Sequence, residues 1–201
     1  GMGIIGLITT QILIKTGHKV LCIDIDQNRL DIAKSFGAEV HNSSNDDFLY
    51  ETAEEFSNSN GVDAVFITST SNSDQIIHDS AEISRKRGRI ILIGVTGLNL
   101  DRSDFYEKEL VFQVSCSYGP GRYDVNYELD GNDYPIGYVR WTERRNFECI
   151  LEMISNKTII LDKLISRKIN FENALDAYED IKNSRKFLGV IFKYKKDDNQ
   201  S

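Results

Sequence analysis

The first six residues carry a glycine pattern suited to binding phosphate. Gly1, Gly3 and Gly6 form G-x-G-x-x-G, and apolar residues at helical spacing follow at once. In such a turn the first glycine permits a tight bend, the second lets backbone approach a diphosphate, and the third lets a helix pack closely on a strand. The N–H groups at the helix start face the phosphates, and the helix dipole favours negative charge there. The pattern therefore predicts a diphosphate site.

A carboxylate follows at the spacing that a dinucleotide requires. Residues 19–24 are a near-continuous apolar run of strand length, and Asp24 ends it, roughly 20 residues after the turn. An acidic side chain there can accept hydrogen bonds from both hydroxyls of an adenosine ribose and repels a 2′-phosphate, which favours NAD over NADP. Two simpler interpretations stay open: the glycines could be ordinary turn residues, and Asp24 could only cap the next helix, a role for which Asp26 is better placed.

The elements that must position these residues alternate along the first 115 residues. The apolar periodicity predicts helices over 4–16, 26–36, 47–57 and 73–86 and strands over 19–24, 39–41, 62–68, 89–93 and 110–115. This alternation indicates parallel crossovers and an α/β fold with a doubly wound parallel sheet. A central strand should precede the glycine turn. We expect that strand to be missing and the chain to be N-terminally truncated; if Gly1 is a tag remnant, the motif reduces to Gly3-x-x-Gly6.

The character of the chain changes after Ser115. Residues 118–141 are irregular, rich in Gly, Tyr, Asp and Asn, and contain both prolines. Helices are predicted over 142–155 and 171–182, and strands over 161–168 and 189–194. We therefore predict two parts: an NAD-binding domain over residues 1–115, and an irregular loop with a C-terminal α+β return segment over residues 116–201.

Composition limits the partners. The net charge of −7 leaves no basic footprint for nucleic acid or an anionic membrane surface. Three cysteines and three histidines show no redox or metal-ligand spacing. We expect a cytoplasmic protein with a small-molecule substrate, no nucleic-acid or membrane partner, and no metal ligands within these residues.

Longer stretches resemble a known family. GMGIIGLITTQILIKTGHKVLCIDIDQNRLDIAKSFGAEV closely resembles the cofactor domain of the medium-chain dehydrogenase/reductase family, the relatives of zinc-type alcohol dehydrogenases. GVDAVFIT, RGRIILIGV, KELVFQVSCSYG, LDKLISRKINFENALDAYEDI and LGVIF follow in that family's order, up to about Tyr194. YGPGRYDVNYELDGNDYPIGYVRWTERRN is similar to a bacterial subgroup in which the dehydrogenase is fused to a glucose-fructose-oxidoreductase-like domain and is linked with surface polysaccharide synthesis.

The resemblance implies a Rossmann fold, an activity and a set of cofactor-binding residues. The activity is NAD(H)-dependent hydride transfer at an alcohol or carbonyl carbon, on a sugar or sugar nucleotide; the alternative is a non-catalytic NAD-binding module with a structural or regulatory role. The implied cofactor-binding residues are Gly1, Gly3, Ile4, Ile5 and Gly6 for the pyrophosphate, Asp24 for the ribose, Arg29 near the adenine, and Thr68, Ser69, Gly94 and Val95 at strand ends.

The resemblance also implies what this chain lacks. Family members carry the catalytic zinc and the proton relay on an N-terminal domain, so no catalytic residue is assigned here and the chain alone is expected to be inactive. A homo-oligomer is expected through the edge strand at residues 110–115. For Tyr118, Arg122 and Tyr123 of the YGPGRYD loop, substrate contact and an interface or packing role stay equally open.

Overall fold

The computed structural model describes residues 1–44, 48–183 and 187–195. The chain forms two compact units, Gly1–Thr158 and Ile159–Ser201. The helices of the first unit are α1 Ile4–Lys15, α2 Gln27–Ser35, α3 Leu49–Phe56, α4 Gln75–Ile83, α5 Arg102–Tyr106, α6 Val125–Glu128 and α7 Glu143–Ser155. Its strands are β1 Leu21–Asp24, β2 Glu39–Asn42, β3 Val62–Ile67, β4 Ser84–Leu92 and β5 Val111–Val114.

The strands of the first unit form two parallel sheets. β1 pairs with β2, and the second sheet has the order β3-β4-β5. Gly1 connects the two sheets, because its N–H donates to the carbonyl of Ile23 in β1 and its own carbonyl accepts from the hydroxyl of Thr68 directly after β3. Parallel strands joined by helices confirm the predicted α/β class.

The helix ends follow the predicted signals. Gly17 and Gly37 adopt φ of +91° and +102° beyond the ends of α1 and α2, the left-handed conformation in which glycine is favoured. Asp26 caps α2 by accepting from the N–H groups of Asn28 and Arg29. The Asp26 side chain therefore has the capping role that was the alternative interpretation of Asp24.

Some predicted boundaries were wrong. The helix predicted over 73–86 ends at Ile83, and the strand predicted to start at Arg89 starts at Ser84. Pairing of Ser84 with Val62 and a register shift before the next pair draw this basic segment into the sheet, so tertiary pairing overrides its helix propensity. The strand predicted over 161–168 lies at 165–170 instead. Asp47, the predicted start of the third helix, lies outside the described residues.

The loop at residues 118–141 is largely irregular, as predicted, but contains the short helix α6.

The second unit comprises strands β6 Ile165–Asn170 and β7 Gly189–Lys193, which pair in parallel, a 3₁₀ turn at Phe171–Asn173, and helix α8 Ala174–Asn183. Its aromatic rings pack together, with Phe171 stacked on Tyr194 at 4.6 Å between ring centroids. Among the described residues no helix has the length and apolar character to span a bilayer.

The core of the second sheet lies between β3, β4 and α4. It consists of five buried apolar residues, Ile67, Ile77, Ala81, Ile90 and Leu92. This cluster fixes the strands whose carboxyl ends border the glycine turn.

Truncation of Ile90 tests this core. We expect Ile90→Ala to lower the free energy of unfolding by about 2–5 kcal/mol, because it removes buried methyl groups and leaves a cavity. Val114→Ala on the half-exposed edge strand should change it by about 0.5 kcal/mol or less. Urea denaturation of both variants measures the difference; equal losses would contradict this assignment of the core.

Candidate nucleotide-binding site

The glycine turn packs too tightly for any side chain at its first or last position. A Cβ atom at position 6 would lie 2.1 Å from the carbonyl oxygen of Gly1 and 2.8 Å from the hydroxyl oxygen of Thr68. A Cβ at position 1 would lie 2.7 Å from the backbone of Ser69. The close approach of α1 to the chain after β3 therefore depends on both glycines.

Gly3, in contrast, faces open space. A Cβ atom at this position would meet nothing within 4 Å. The first intrahelical bond of α1 runs from the Leu7 N–H to the Gly3 carbonyl, which leaves the preceding N–H groups without intrahelical partners. Gly3 offers no side-chain cap, and the first turn contains no acidic residue. The start of α1, with partly exposed Ile4 and Ile5, can thus receive an anion.

Asp24 lies against this turn. Its carboxylate accepts a short hydrogen bond from the Met2 N–H and another, at 2.9 Å, from the Asp26 N–H. The side chain is buried, and each carboxylate oxygen retains a second lone-pair site. The structure therefore brings the predicted phosphate turn and the predicted ribose acceptor together.

The side chains of Thr10 and Cys22 pack against the glycine turn. The Thr10 hydroxyl donates to the Gly6 carbonyl at 2.8 Å and lies 3.2 Å from the Cys22 sulfur. Burial raises the pKa of the Cys22 thiol above its usual range, although the contact with Thr10 opposes this shift. Cys22 thus stays a neutral thiol that packs beneath the turn.

The strand-end residues lie side by side. Val95 donates its N–H to the Ser69 carbonyl at 3.1 Å, and the Gly94 N–H donates to the Ile67 carbonyl. A Cβ at position 94 would lie 2.0 Å from the Ser69 carbonyl oxygen, so the ends of β3 and β4 are pressed together. Through the contacts of Gly1 with Thr68 and Ser69, this edge borders the glycine turn.

Arg29 lies on the first turn of α2. Its guanidinium pairs with Asp26 at 3.5 Å, and its side chain is mostly buried. Contact with an adenine stays a prediction. Sequence reasoning missed the roles of Met2 and Thr10; the polar Thr10 four residues after Gly6 on an apolar helix was a usable signal, whereas a backbone donor such as Met2 leaves none.

The described parts of the chain do not fit a zinc site. Within residues 1–44, 48–183 and 187–195, no three His, Cys, Asp or Glu side chains cluster so as to hold a metal ion.

An α/β fold with a glycine turn and a carboxylate at the edge of a parallel sheet is typical of dinucleotide-binding proteins. Residues 5–130 match the family model of the zinc-binding dehydrogenases. More than half of the chain is matched, and the chain belongs to this family. Its members are enzymes that use NAD(H) and zinc, in agreement with the predicted cofactor.

Individual dehydrogenases are similar to this chain in sequence and in fold. The chain is 24% identical over 186 residues to a D-arabitol-phosphate dehydrogenase from Enterococcus avium, a match that covers 90% of this chain and 46% of the relative. Its fold is similar to that of alcohol dehydrogenase TADH from Thermus sp. ATN1, with a TM-score of 0.74, 18% identity and coverage of 97% and 49%.

A third relative is similar in fold. The match to galactitol-1-phosphate dehydrogenase from Escherichia coli has a TM-score of 0.71, 22% identity and coverage of 93% and 50%. The chain spans about half the length of each of these three relatives.

Two glycine substitutions compare a crowded position of the turn, Gly6, with one that faces open space, Gly3. We expect Gly6→Ala to lower the free energy of unfolding by about 1–3 kcal/mol, because the methyl group collides with the Gly1 carbonyl. Gly3→Ala should change it by less than about 1 kcal/mol, since its methyl group meets no atom. Thermal or urea unfolding compares the two; a larger loss for Gly3→Ala would refute this geometry of the turn.

Proposed function

We propose that this chain binds NAD, with the pyrophosphate at the start of α1 and the adenosine ribose at Asp24. Gly1, Gly3, Ile4, Ile5 and Gly6 form the pyrophosphate turn in this proposal. The observation that supports it is the position of the Asp24 carboxylate, which is held within hydrogen-bond reach of the turn by the Met2 N–H. A negative charge at this point disfavours a 2′-phosphate and hence NADP.

The strand ends complete the proposed cofactor site. In open parallel sheets ligands bind beyond the carboxyl ends of the strands, and Thr68, Ser69, Gly94 and Val95 occupy that edge. In this proposal residues 1–115 form the cofactor domain and Arg29 flanks the adenine.

The complete protein is proposed to oxidise an alcohol or reduce a carbonyl group. Bound NAD supplies the hydride acceptor, and the protein orients it. Relatives named for polyol phosphates and alcohols support a polyol, sugar or sugar nucleotide as substrate. A role in surface polysaccharide synthesis, with a fused second domain, rests on the resemblance of residues 118–146. Zinc and the acid–base residues would come from chain outside residues 1–201.

Oligomerisation through β5 is part of the proposal. β5 pairs only with β4 among the described strands, and Val111 and Val114 expose 47% and 56% of their surface. Unpaired, apolar sheet edges favour pairing with another chain. A second copy of this chain is the expected partner.

Substitution of Asp24 tests the cofactor assignment. We expect Asp24→Asn to weaken NAD binding by about 1–1.5 kcal/mol for each ribose hydrogen bond, because hydrogen bonds to a charged group are replaced by weaker neutral ones. The amide retains one acceptor for the turn, and it removes the charge that repels NADP. Calorimetric titration with NAD and NADP measures both effects.

The exposed pair Arg144–Glu148 on α7 offers a control, since Glu148→Gln makes the same chemical change away from the turn. It should leave NAD affinity unchanged. Equal NAD affinity of wild type and Asp24→Asn, or a wild-type preference for NADP, would contradict the proposal.

Turnover is tested separately. The protein extended to the length of its relatives should reduce NAD, followed as NADH absorbance, with alcohols, polyols or sugar derivatives as substrates. Tight NAD binding without turnover on such a panel would favour the non-catalytic module.

A further inference from the structure

The backbones of the two ends of the loop at residues 118–141 lie side by side, and both ends carry exposed aromatic side chains that the proposed cofactor site does not use. We call four exposed side chains the loop surface: Tyr118, Tyr123, Arg140 and Trp141. Pro120 accepts a hydrogen bond from the Glu143 N–H at 2.8 Å, and a Cβ at Gly119 would lie 3.9 Å from the Trp141 carbonyl oxygen. These contacts hold the segment 118–123 beside residues 140–143. Tyr118, Tyr123 and Trp141 expose 51%, 74% and 48% of their surface.

The loop behind this surface is firmly held. Arg145 on α7 pairs with Asp133 at 2.8 Å and donates to the Tyr134 carbonyl at 2.7 Å. Tyr134 stacks on Tyr127 at 5.6 Å between centroids and donates a hydrogen bond to Asp124. That hydrogen bond lowers the pKa of Asp124 below its usual range. The part of the loop between the exposed rings is therefore held in place by an ion pair, hydrogen bonds and ring stacking.

Each part of the surface combines an aromatic ring with a guanidinium group. Arg122 lies over Tyr123 at 4.4 Å, but its charge is paired with Glu128. Arg140 lies over Trp141 at 4.2 Å, and no carboxylate of the described residues is within ion-pair distance of it. Arg140 is thus the cation on this surface whose charge is available to a ligand.

This surface begins at the edge that carries the proposed cofactor site. The Ser115 N–H, directly after β5, donates to the Leu92 carbonyl at 2.8 Å, and Gly94 follows two residues beyond Leu92. Tyr118 is three residues past Ser115, so its Cα lies within about 10 Å of that of Ser115. The Tyr118 end of the surface is therefore close to the carboxyl end of β4.

We propose that Tyr118, Tyr123, Arg140 and Trp141 bind the non-reacting part of the substrate, and that this part is a phosphorylated sugar or polyol. Aromatic faces pack against carbon chains and the C–H faces of sugars. A guanidinium presents a planar fork of N–H groups that matches phosphate. The whole chain carries a net charge of −7, so an anion needs a local cation such as Arg140 in order to bind. The reaction of this substrate depends on the proposed function. The binding of its phosphorylated part is inferred from this surface alone.

A similar pair elsewhere provides a matched control. Arg102 lies over the exposed ring of Tyr106 at 3.9 Å. These residues precede β5, and the adjacent Lys108 carbonyl accepts from the Arg87 N–H, which places them toward the amino ends of the strands. Arg102 should therefore not contribute to binding.

Trp141 is the only tryptophan of the chain, so its fluorescence monitors the surface directly and without NAD. We expect sorbitol 6-phosphate to produce a saturable change, sorbitol a much weaker one, and inorganic phosphate alone none at the same concentration. Arg140→Ala should weaken sorbitol 6-phosphate binding about 10- to 100-fold. Arg140→Lys should restore part of it, and Arg102→Ala should leave it unchanged.

Several outcomes would overturn the proposal: equal binding of sorbitol and its phosphate, equal binding of inorganic phosphate, equal losses for Arg140→Ala and Arg102→Ala, or a fluorescence change that follows protein concentration and so reports self-association. The Asp24→Asn variant should show the wild-type response. Failure of NAD binding with an intact fluorescence response would therefore refute the proposed function and leave this site standing, and the reverse result would refute this site only.

Discussion

The hydrogen bond from the Met2 backbone to the Asp24 carboxylate is the interaction on which the proposed site depends. It joins the glycine turn to the end of β1 and orients a charged group beside an uncapped helix start. A buried carboxylate is costly unless hydrogen bonds satisfy it, and the N–H groups of Met2 and Asp26 do so. The charge can then be kept where a ribose would lie.

Close backbone packing provides the second constraint. Gly1 contacts both sheets, and Gly1, Gly6 and Gly94 lie where a side chain would collide with neighbouring backbone. These approaches bring the carboxyl ends of β1, β3 and β4 to one edge. A diphosphate and two ribose rings need an extended edge of this kind. The loop after β5 leaves from the same edge, since the Ser115 N–H donates to the carbonyl of Leu92 at the end of β4.

Local patterns predicted much of the fold. Apolar runs located β1, β3 and β5, although β5 is an exposed edge strand. Gly17, Asp26 and Gly37 ended or began helices as their backbone chemistry requires. The start of β4 was missed because Arg85 and Lys86 favour a helix in isolation, whereas the strand begins at Ser84 through its pairing with Val62, which is distant in sequence. In the site, Asp24 was predictable from its spacing. The Met2 N–H was not, since any residue type has a backbone donor and only the folded turn shows where it points.

A crystal structure of the protein with bound NAD would show whether Asp24 holds the ribose. We expect pyrophosphate oxygens at the N–H groups that begin α1, and both adenosine ribose hydroxyls within hydrogen-bond distance of the Asp24 carboxylate. Dinucleotide bound at another edge of the sheet, or a ribose turned away from Asp24, would contradict this expectation.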